Sequence, residues 1–515
     1  MINLSIALED NAFKIPNNTA IISEGKKLSY KELNQLSNKV ANIIIDLGIK
    51  PGDSIALQSP NIAFFPIIYY GILKMGGVVV PMSIMLKKKE ILHILNDSNA
   101  KLYFFYQGHD NLNIAAEAIK AIKEYSELID SIIIENLENS GYIDTIPKKL
   151  ISLMENASNQ LEYRASNSDE TAVIIYTSGT TGKSKGAELT HSNLAWNASI
   201  TVNLFDFNKN DVSLTVLPLF HIFGQNCIMN ASIFAGIPNL LLKRFDPDNV
   251  IKIIQENKIT IFAGVPTMFW SLLNELKFYH KQVLSLLKEH WRIALSGGAA
   301  MPKELLNDFE NIYGVRIYEG YGMSEASPLV TYNQPKYKRK IGSVGLPLWG
   351  VQVKIVNDQL IEVPNYEVGQ IIFRGHNVMK GYYKNDTATK KAIKDGWMHS
   401  GDIGYKDNDG YFFVVDRIND MIIRGGVNIY PREVEEVIIK HPKISLVAVI
   451  GIADQKMGEE IKAYIVLKKG EELTENEFKI WIKSELSGNK YPRKIEFVKK
   501  LPMNATGKIL KRKLK

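Results

Sequence analysis

The chain has 515 residues, of which 45% are hydrophobic and 23% are charged, and its formal net charge is +7. These values are typical of a globular protein with a large core and enough chain for about three or four domain-sized units. The single cysteine, Cys227, excludes a disulfide framework and a multi-cysteine metal site, which favours a cytoplasmic location. The N-terminus lacks a basic start and a sustained apolar segment, so no secretory signal is expected.

The basic residues show no pattern typical of a nucleic-acid-binding protein. Their most compact cluster is the C-terminal stretch 508–515, and no aromatic residue interleaves with it. We therefore expect no nucleic-acid partner. A basic tail can touch an anionic membrane surface, so a weak peripheral membrane contact stays open.

The predicted elements alternate between helix and strand. An amphipathic helix is predicted over 28–44, with Ser29 as its cap and Glu32 three residues later. Further on, apolar runs and turn signals predict strands at 54–58, 75–81, 212–218, 237–242, 260–266, 291–296 and 315–319, and helices at 66–73, 246–257 and 302–313. This alternation predicts an α/β fold with mainly parallel sheets, whose ligands bind beyond the carboxyl ends of the strands.

The stretch 212–242 contains no Lys, Arg, Asp or Glu. Proline, asparagine, glutamine and histidine recur in it too often for a lipid-facing helix. We therefore predict a buried core segment that lines a cavity.

The pattern changes after Lys340 to short strands and glycine turns, which predict a small β-barrel-like subdomain. A last unit has predicted helices at 431–440 and 474–486 and strands at 446–451 and 461–467, which indicates a small α+β lid domain. The predicted organisation is a large N-terminal domain of parallel α/β subdomains with the barrel-like subdomain, over residues 1–418, and a mobile C-terminal domain over residues 419–515.

One segment carries a clear chemical signal, Tyr176-Thr-Ser-Gly-Thr-Thr-Gly-Lys-Ser-Lys-Gly186, with three glycines and five aliphatic hydroxyl residues. It follows the apolar run 171–175 and precedes a helix-like stretch from His191. A strand, such a loop and a helix present backbone and side-chain donors to an anion, which predicts a phosphate-binding loop. The Walker A loop needs a glycine five positions before Gly-Lys-Ser, and Thr177 stands there, so an ordinary P-loop NTPase is excluded.

This segment resembles the signature of the adenylate-forming superfamily, which contains acyl-CoA synthetases, peptide-synthetase adenylation domains and beetle luciferases. The other family motifs follow in the expected order along nearly the whole chain. The resemblance implies ATP, Mg²⁺ and coenzyme A as cofactor and co-substrates. It also implies that the ATP phosphates contact the loop residues Thr177, Ser178, Gly179, Thr180, Thr181 and Lys185.

The motif at 318–325 resembles the family segment that binds adenine, phosphate and metal. By this resemblance Tyr321 stacks on adenine, Ser324 contacts phosphate, and Glu325 holds Mg²⁺ together with Thr177. Most family members carry threonine where Ser324 stands, and serine keeps the hydroxyl.

Three further motifs resemble nucleotide-binding and substrate-binding segments. Gly298 and Ala299 would wall the adenine and the acyl pocket. Asp402 would bind the ribose hydroxyls, and Arg417 would complete the nucleotide contacts. His221 would position the substrate, because a carboxylate is already nucleophilic near pH 7 and needs no general base.

The resemblance extends to the lid. Asn419 falls at the hinge position, where many relatives have aspartate or lysine, and asparagine tolerates unusual backbone angles. Gly425 and Gly426 would line the pantetheine route of coenzyme A. Lys508, in the motif 502–508, matches the mobile catalytic lysine of the family.

Among relatives, the segments 262–268, 296–299 and 377–383 are most similar to those of bacterial long-chain fatty-acid–CoA ligases. We therefore predict an ATP-dependent, AMP-forming ligase for long-chain fatty acids, with the uncharged stretch after His221 as the acyl tunnel. A ligase for medium-chain or aromatic acids, a fatty-acyl-AMP ligase that loads a carrier protein, and a non-catalytic lipid-binding homologue remain alternatives. The sequence leaves open whether the protein is a monomer or a homodimer.

Overall fold

The computed structural model describes residues 3–108, 112–135, 148–162, 166–177, 183–275, 279, 287–504 and 507–514. The predicted phosphate-binding residues Ser178, Gly179, Thr180 and Thr181 therefore lie outside the described residues.

The strands and helices of the described residues are listed here in chain order. The strands are β1 (Thr19–Ser23), β2 (Lys26–Ser29), β3 (Ser54–Gln58), β4 (Val78–Pro81), β5 (Leu102–Tyr106), β6 (Asp130–Ile134), β7 (Lys148–Lys149), β8 (Thr171–Thr177), β9 (Lys185–Thr190), β10 (Ser213–Thr215), β11 (Asn239–Leu241), β12 (Ile261–Gly264), β13 (Ile293–Ser296), β14 (Ile317–Gly322), β15 (Leu329–Tyr332), β16 (Leu346–Pro347), β17 (Val351–Val356), β18 (Gly369–Gly375), β19 (Gly381–Tyr382), β20 (Ile393–Lys394), β21 (Trp397–Lys406), β22 (Phe412–Arg417), β23 (Ile422–Arg424), β24 (Val427–Ile429), β25 (Ile444–Asp454), β26 (Gly458–Leu467) and β27 (Lys494–Phe497). The α-helices are α1 (Ile6–Lys14), α2 (Tyr30–Asp46), α3 (Phe64–Lys74), α4 (Lys88–Ser98), α5 (Ile114–Ile122), α6 (Leu150–Asn156), α7 (His191–Leu204), α8 (Ala231–Ala235), α9 (Pro247–Glu256), α10 (Pro266–Glu275), α11 (Lys303–Tyr313), α12 (Asp386–Ala392), α13 (Pro431–Ile438) and α14 (Glu475–Glu485). A π-helix spans Phe223–Asn230, and short 3₁₀ turns span Ser324–Ala326, Ile418–Asp420 and Lys511–Lys513.

Two large sheets form the body of the protein. In the first, the described strands run in the order β16-β15-β14-β13-β12-β10-β11-β1-β2, and the run from β14 to β1 is parallel. In the second, the order is β19-β9-β8-β4-β3-β5-β6-β7, with the run from β8 to β7 parallel. The predicted α/β fold with mainly parallel sheets is confirmed.

Two smaller sheets follow in the C-terminal third of the chain. Antiparallel strands β17, β18, β20, β21 and β22 form one of them, at the place where the sequence predicts the barrel-like subdomain. Strands β23 to β27 form the other, and α13 and α14 belong to the same C-terminal unit. The connector between β22 and β23 contains the 3₁₀ turn Ile418–Asp420, so the predicted hinge residue Asn419 lies between the two small sheets. That the chain divides and rotates there stays a prediction.

Local signals explain where several helices begin and end. The Ser29 hydroxyl accepts a hydrogen bond from the Glu32 amide (3.2 Å), and the Glu32 carboxylate accepts one from the Ser29 amide (2.8 Å), which completes the predicted capping box of α2. Helix α11 ends at Gly314, whose φ of +69° suits glycine.

Most of the uncharged stretch is buried, as predicted, and that it lines a cavity stays a prediction. All residues of the π-helix Phe223–Asn230 are buried, and two of their side-chain amides bond to backbone carbonyls. The side-chain amide of Asn226 donates to the backbone carbonyl of Ser327 (2.8 Å), and the side-chain amide of Gln225 donates to the backbone carbonyl of Leu219 (2.9 Å). Among the described helices, none is both long enough and apolar enough to span a bilayer.

One local prediction was wrong. The sequence indicated that the phosphate loop leads directly into the helix from His191, whereas β9 intervenes and pairs antiparallel with β8. This strand buries Ala187 and Leu189 in the core, and its ladder with β8 satisfies its backbone groups. The N-terminus of α7 therefore lies at the far end of the β8–β9 hairpin and is not the phosphate-binding end that the pattern suggested.

Candidate active site

The predicted ligand segments converge at one edge of the first sheet. Strands β12, β13 and β14 are parallel neighbours, so the segments that follow them emerge side by side. Gly298 and Ala299, which follow β13, are exposed at this edge, and Gly298 has a φ of +80° that favours glycine. A Cβ on Gly297 would lie 3.3 Å from the Phe223 ring, which places the segment after His221 against the same edge.

Tyr321, Asp402 and Arg417 form one hydrogen-bonded group. The Tyr321 hydroxyl donates to Asp402 Oδ2 (2.7 Å), and Arg417 Nε lies 3.2 Å from Asp402 Oδ1. Asp402 and Arg417 face each other across β21 and β22. The Asp402 side chain is 9% exposed and that of Arg417 is 57% exposed, so the buried carboxylate is the fixed member and the guanidinium is open to a ligand. The structure thus brings together three residues that the sequence predicted as nucleotide contacts.

A second group joins the two large sheets. Thr177, at the carboxyl end of β8, donates to Glu325 Oε1 (3.3 Å), and Glu325 follows β14 of the other sheet. The Tyr382 hydroxyl donates to the same carboxylate oxygen (2.9 Å), and Lys185 Nζ lies 5.2 Å from the centroid of the Tyr382 ring. Ser324 immediately precedes Glu325 in the 3₁₀ turn and is partly exposed.

This second group fits a magnesium ion in its donor chemistry. Magnesium is usually held by one or two carboxylates, substrate phosphates and water. Glu325 supplies one buried carboxylate, 6% exposed, and Thr177 supplies a hydroxyl beside it. These two residues would hold Mg²⁺ at the start of the predicted phosphate loop.

Lys508 reaches the same edge from the C-terminal unit. The carbonyl of the preceding Gly507 accepts a hydrogen bond from the Thr267 hydroxyl (3.2 Å), just beyond β12. A Cβ on Gly507 would lie 3.1 Å from the Val265 side chain, so the chain passes close to that strand end. Burial, and next the charge of Arg417, lower the pKa of Lys508 to about 8. The Lys508 ammonium is therefore within electrostatic range of the Asp402–Arg417 pair.

The lowered pKa of Lys508 predicts that the rate of adenylation falls as the pH rises above that pKa. The protonated ammonium is the form that stabilises a phosphate, so we expect kcat/KM of adenylation for ATP to be full near pH 7, half lost near the pKa of about 8, and to fall about tenfold per pH unit above it. Pyrophosphate release measured without coenzyme A from pH 6 to 10 checks this. The Lys508→Arg variant should not show this alkaline loss of kcat/KM, because guanidinium stays charged up to pH 10. A wild-type profile that is flat to pH 9.5 would contradict the role assigned to Lys508.

His221 is neutral at physiological pH. Burial, with the nearby charge of Lys508, lowers the pKa of His221 to about 4. Its Nδ1 accepts the Phe223 amide hydrogen (3.3 Å), so the proton of the neutral ring is on Nε2. A neutral donor at Nε2 is compatible with substrate positioning, which stays a prediction.

The predicted coenzyme A residues lie within the C-terminal unit. Gly425 and Gly426 form the turn between β23 and β24 with positive φ angles of 57° and 81°. The Gly425 amide donates to the Met457 carbonyl (2.8 Å). In the described part of the chain, no hydrogen bond joins either glycine to the nucleotide residues, so their role in coenzyme A binding stays a prediction.

Sequence reasoning missed two residues of this region. Tyr382 lies in the segment 377–383, whose similarity to ligases was noted without a role for the tyrosine. Glu319 lies on β14 next to the assigned motif residues, and burial raises the pKa of its carboxyl to about 7, although Arg432 and the Met301 amide (3.3 Å) oppose the shift. Its position two residues before Tyr321 is the only sequence signal for it.

Fold and site together define an adenylate-forming enzyme. The chain belongs to the AMP-binding enzyme family, whose model matches residues 8–383, and a second model, the AMP-binding enzyme C-terminal domain, matches residues 433–508. It is therefore an adenylating enzyme of the acid–thiol ligase class, an AMP-forming acyl-CoA synthetase.

The names of individual relatives refer to different acid substrates. The chain is 35% identical to a long-chain-fatty-acid–CoA ligase of Bacillus subtilis, over 99% of this chain and 94% of the relative. It is 33% identical to a feruloyl-CoA synthase of an Amycolatopsis species, over 96% of this chain and 95% of the relative. Its structure resembles the crystal structure of ATP-bound MatB from Rhodopseudomonas palustris with a TM-score of 0.89 and 30% identity, over 99% of this chain and 98% of that chain.

Proposed function

We propose that this protein is an ATP-dependent, AMP-forming ligase that joins a long-chain fatty acid to coenzyme A. The observation that carries the proposal is that Lys508, from the C-terminal unit, follows Gly507, whose carbonyl bonds to Thr267 at the edge of the first sheet, where the charges of Arg417 and Asp402 act on the lysine. The ATP-bound solved relative and the similar B. subtilis ligase support ATP and a fatty acid as substrates.

In the first half-reaction, a carboxylate oxygen of the acid forms a bond to the α-phosphorus of ATP, and the bond to pyrophosphate breaks. Asp402 binds the ribose, Tyr321 stacks on the adenine, and Lys508 stabilises the negative charge that develops on the phosphate. Thr177 and Glu325 would hold Mg²⁺, which when bound neutralises phosphate charge. The products are acyl-AMP and pyrophosphate.

In the second half-reaction, the sulfur of coenzyme A forms a bond to the acyl carbon, the bond from that carbon to the AMP oxygen breaks, and the thiol proton is released. We propose that the C-terminal unit turns about Asn419, which withdraws Lys508 and brings Gly425 and Gly426 toward the pantetheine arm. One cleft then serves two reactions in succession.

The long-chain assignment rests on the uncharged, buried stretch that contains the π-helix Phe223–Asn230. Each buried methylene contributes about 0.8 kcal/mol, so an apolar acyl site discriminates strongly by chain length. An aromatic acid is the second candidate, because the feruloyl-CoA synthase is nearly as similar in sequence. We place the enzyme in the cytoplasm, since its cysteine is a buried free thiol.

Half-reaction assays on a panel of acids test this proposal. Purified protein is given acetate, octanoate, palmitate, oleate, benzoate or ferulate with ATP, Mg²⁺ and coenzyme A, and pyrophosphate, AMP and thioester are each measured. We expect palmitate and oleate to exceed octanoate more than about tenfold in kcat/KM. Turnover confined to ferulate or benzoate would favour the aromatic candidate. Pyrophosphate without thioester would indicate a carrier-loading ligase, and no turnover on any acid would contradict the enzymatic proposal.

A further inference from the structure

We propose that Tyr382 is a positioning residue for Glu325: its hydroxyl holds one carboxylate oxygen and thereby turns the other toward the metal and the phosphates. This inference rests on the proposed ATP-dependent function and adds to it a residue outside the assigned nucleotide contacts.

Among the described residues, the hydrogen bonds to the Glu325 carboxylate are both made to one oxygen. Oε1 accepts from the Tyr382 hydroxyl (2.9 Å) and from the Thr177 hydroxyl (3.3 Å). Within the described residues, no hydrogen bond reaches Oε2. An ionised carboxylate is an acceptor only, so the two donors fix the plane and the rotation of the group and leave Oε2 for a cation.

Tyr382 is itself held in place. Strand β19 pairs antiparallel with β9, and Tyr382 lies opposite Ala187. The Tyr382 amide donates to the Thr389 hydroxyl (2.8 Å), which anchors the residue to α12. Short strand pairing and this bond leave the phenol little freedom to follow Glu325 if the carboxylate rotates.

The same tyrosine connects both ends of the predicted phosphate loop. Thr177 ends β8 and Lys185 begins β9, so these residues flank the loop. Thr177 meets Tyr382 on Glu325 Oε1, and Lys185 Nζ lies 5.2 Å above the Tyr382 ring, a distance typical of a cation–π contact. Tyr382 therefore couples the orientation of the carboxylate to the two residues that begin and end the loop.

The Tyr382→Phe variant removes only the hydroxyl oxygen. Loss of a hydrogen bond behind a metal ligand typically costs about 10–100-fold in metal affinity. We therefore expect the Mg²⁺ concentration that half-saturates ATP binding to rise about tenfold. ATP binding in EDTA should not change, because the variant leaves the adenine and ribose contacts intact. The thioester step from synthetic acyl-AMP should also keep its rate, because it needs no ATP phosphates.

The matched control is Tyr383→Phe, in the adjacent tyrosine, which has Lys384 Nζ 5.0 Å above its ring. Calorimetric titration of ATP at a series of Mg²⁺ concentrations is run on wild type and both variants, with their melting temperatures. A Thr177→Val variant, alone and combined with Tyr382→Phe, adds a double-mutant cycle. Because both hydroxyls donate to one oxygen, we expect their effects on Mg²⁺ dependence to be non-additive.

The outcomes separate this inference from the proposed function. A Mg²⁺ dependence of Tyr382→Phe equal to that of wild type, or an equal loss of ATP binding with Mg²⁺ and in EDTA, would overturn the positioning role while leaving the ligase proposal intact. A wild-type protein that binds no ATP at any Mg²⁺ concentration would overturn both. A selective shift in Mg²⁺ dependence, absent from Tyr383→Phe, supports the assignment.

Discussion

Replacing Lys508 with alanine is expected to slow acyl-adenylate formation by about 10²–10³-fold, the typical effect of removing one preorganised donor to a developing charge. Lys508 approaches the edge of the first sheet beside Arg417 and Asp402, where burial lowers its pKa and strengthens its interaction with a phosphate. The measurement is single-turnover release of pyrophosphate from ATP and palmitate without coenzyme A.

The rate of thioester formation from synthetic acyl-AMP distinguishes a catalytic role from a structural one. Because the lysine is proposed to leave the cleft before this step, Lys508→Ala should keep it within about threefold, whereas a misfolded variant would lose both half-reactions. Lys513→Ala is the matched control, since Lys513 is an exposed lysine of the same C-terminal segment. Equal loss of both half-reactions in Lys508→Ala, or a similar loss in Lys513→Ala, would contradict the proposed role.

Sequence patterns predicted the layered fold because its causes are local. Alternating apolar runs, the capping box of Ser29 and Glu32, and Gly314 at the end of α11 each act within a few residues. Strand β9 was missed because it is a short strand directly after a glycine-rich loop, and its pairing with β8 and β19 is what defines it. A short pattern cannot separate such a strand from the start of the following helix.

The site residues also separate into those that local motifs predict and those that depend on contacts between distant segments. Motif resemblance named Tyr321, Asp402 and Arg417, and the structure brings these three together. Motif resemblance gave Tyr382 no role. Its contact with Glu325 arises because the two-residue strand β19 pairs with β9 in the second large sheet, whereas Glu325 follows a strand of the first. No sequence spacing encodes such a contact.

The protonation states also required the structure. His221 and Lys508 are separated by almost three hundred residues, yet the charge of Lys508 helps to lower the pKa of His221. Burial is the larger cause for both groups, and burial depends on packing from several segments. The two titratable groups could therefore be identified from the sequence, but the shifts in their pKa values could not be predicted from it.

The Asp402→Ala variant is expected to lose ATP affinity and stability together. Hydrogen bonds to a charged group contribute roughly 1.5–3 kcal/mol, so loss of the ribose acceptor should raise the dissociation constant for ATP by about 10–10²-fold. The Tyr321 hydroxyl, which donates to Asp402 over 2.7 Å, would be left buried without its acceptor, and this costs roughly 1–3 kcal/mol of folding free energy. Calorimetric ATP titration and urea unfolding measure the two effects.

A matched variant separates the loss of binding from the loss of stability. Asp407, just beyond β21, is also a buried carboxylate; it pairs with Lys340 and accepts the Tyr411 amide (2.9 Å). Asp407→Ala should therefore lower the free energy of unfolding by a similar amount while leaving ATP affinity unchanged, because its partners lie outside the Tyr321–Arg417 group. If Asp402→Ala bound ATP as tightly as Asp407→Ala does, Asp402 would be a structural carboxylate of the antiparallel sheet, and the ribose would have to be bound by other residues.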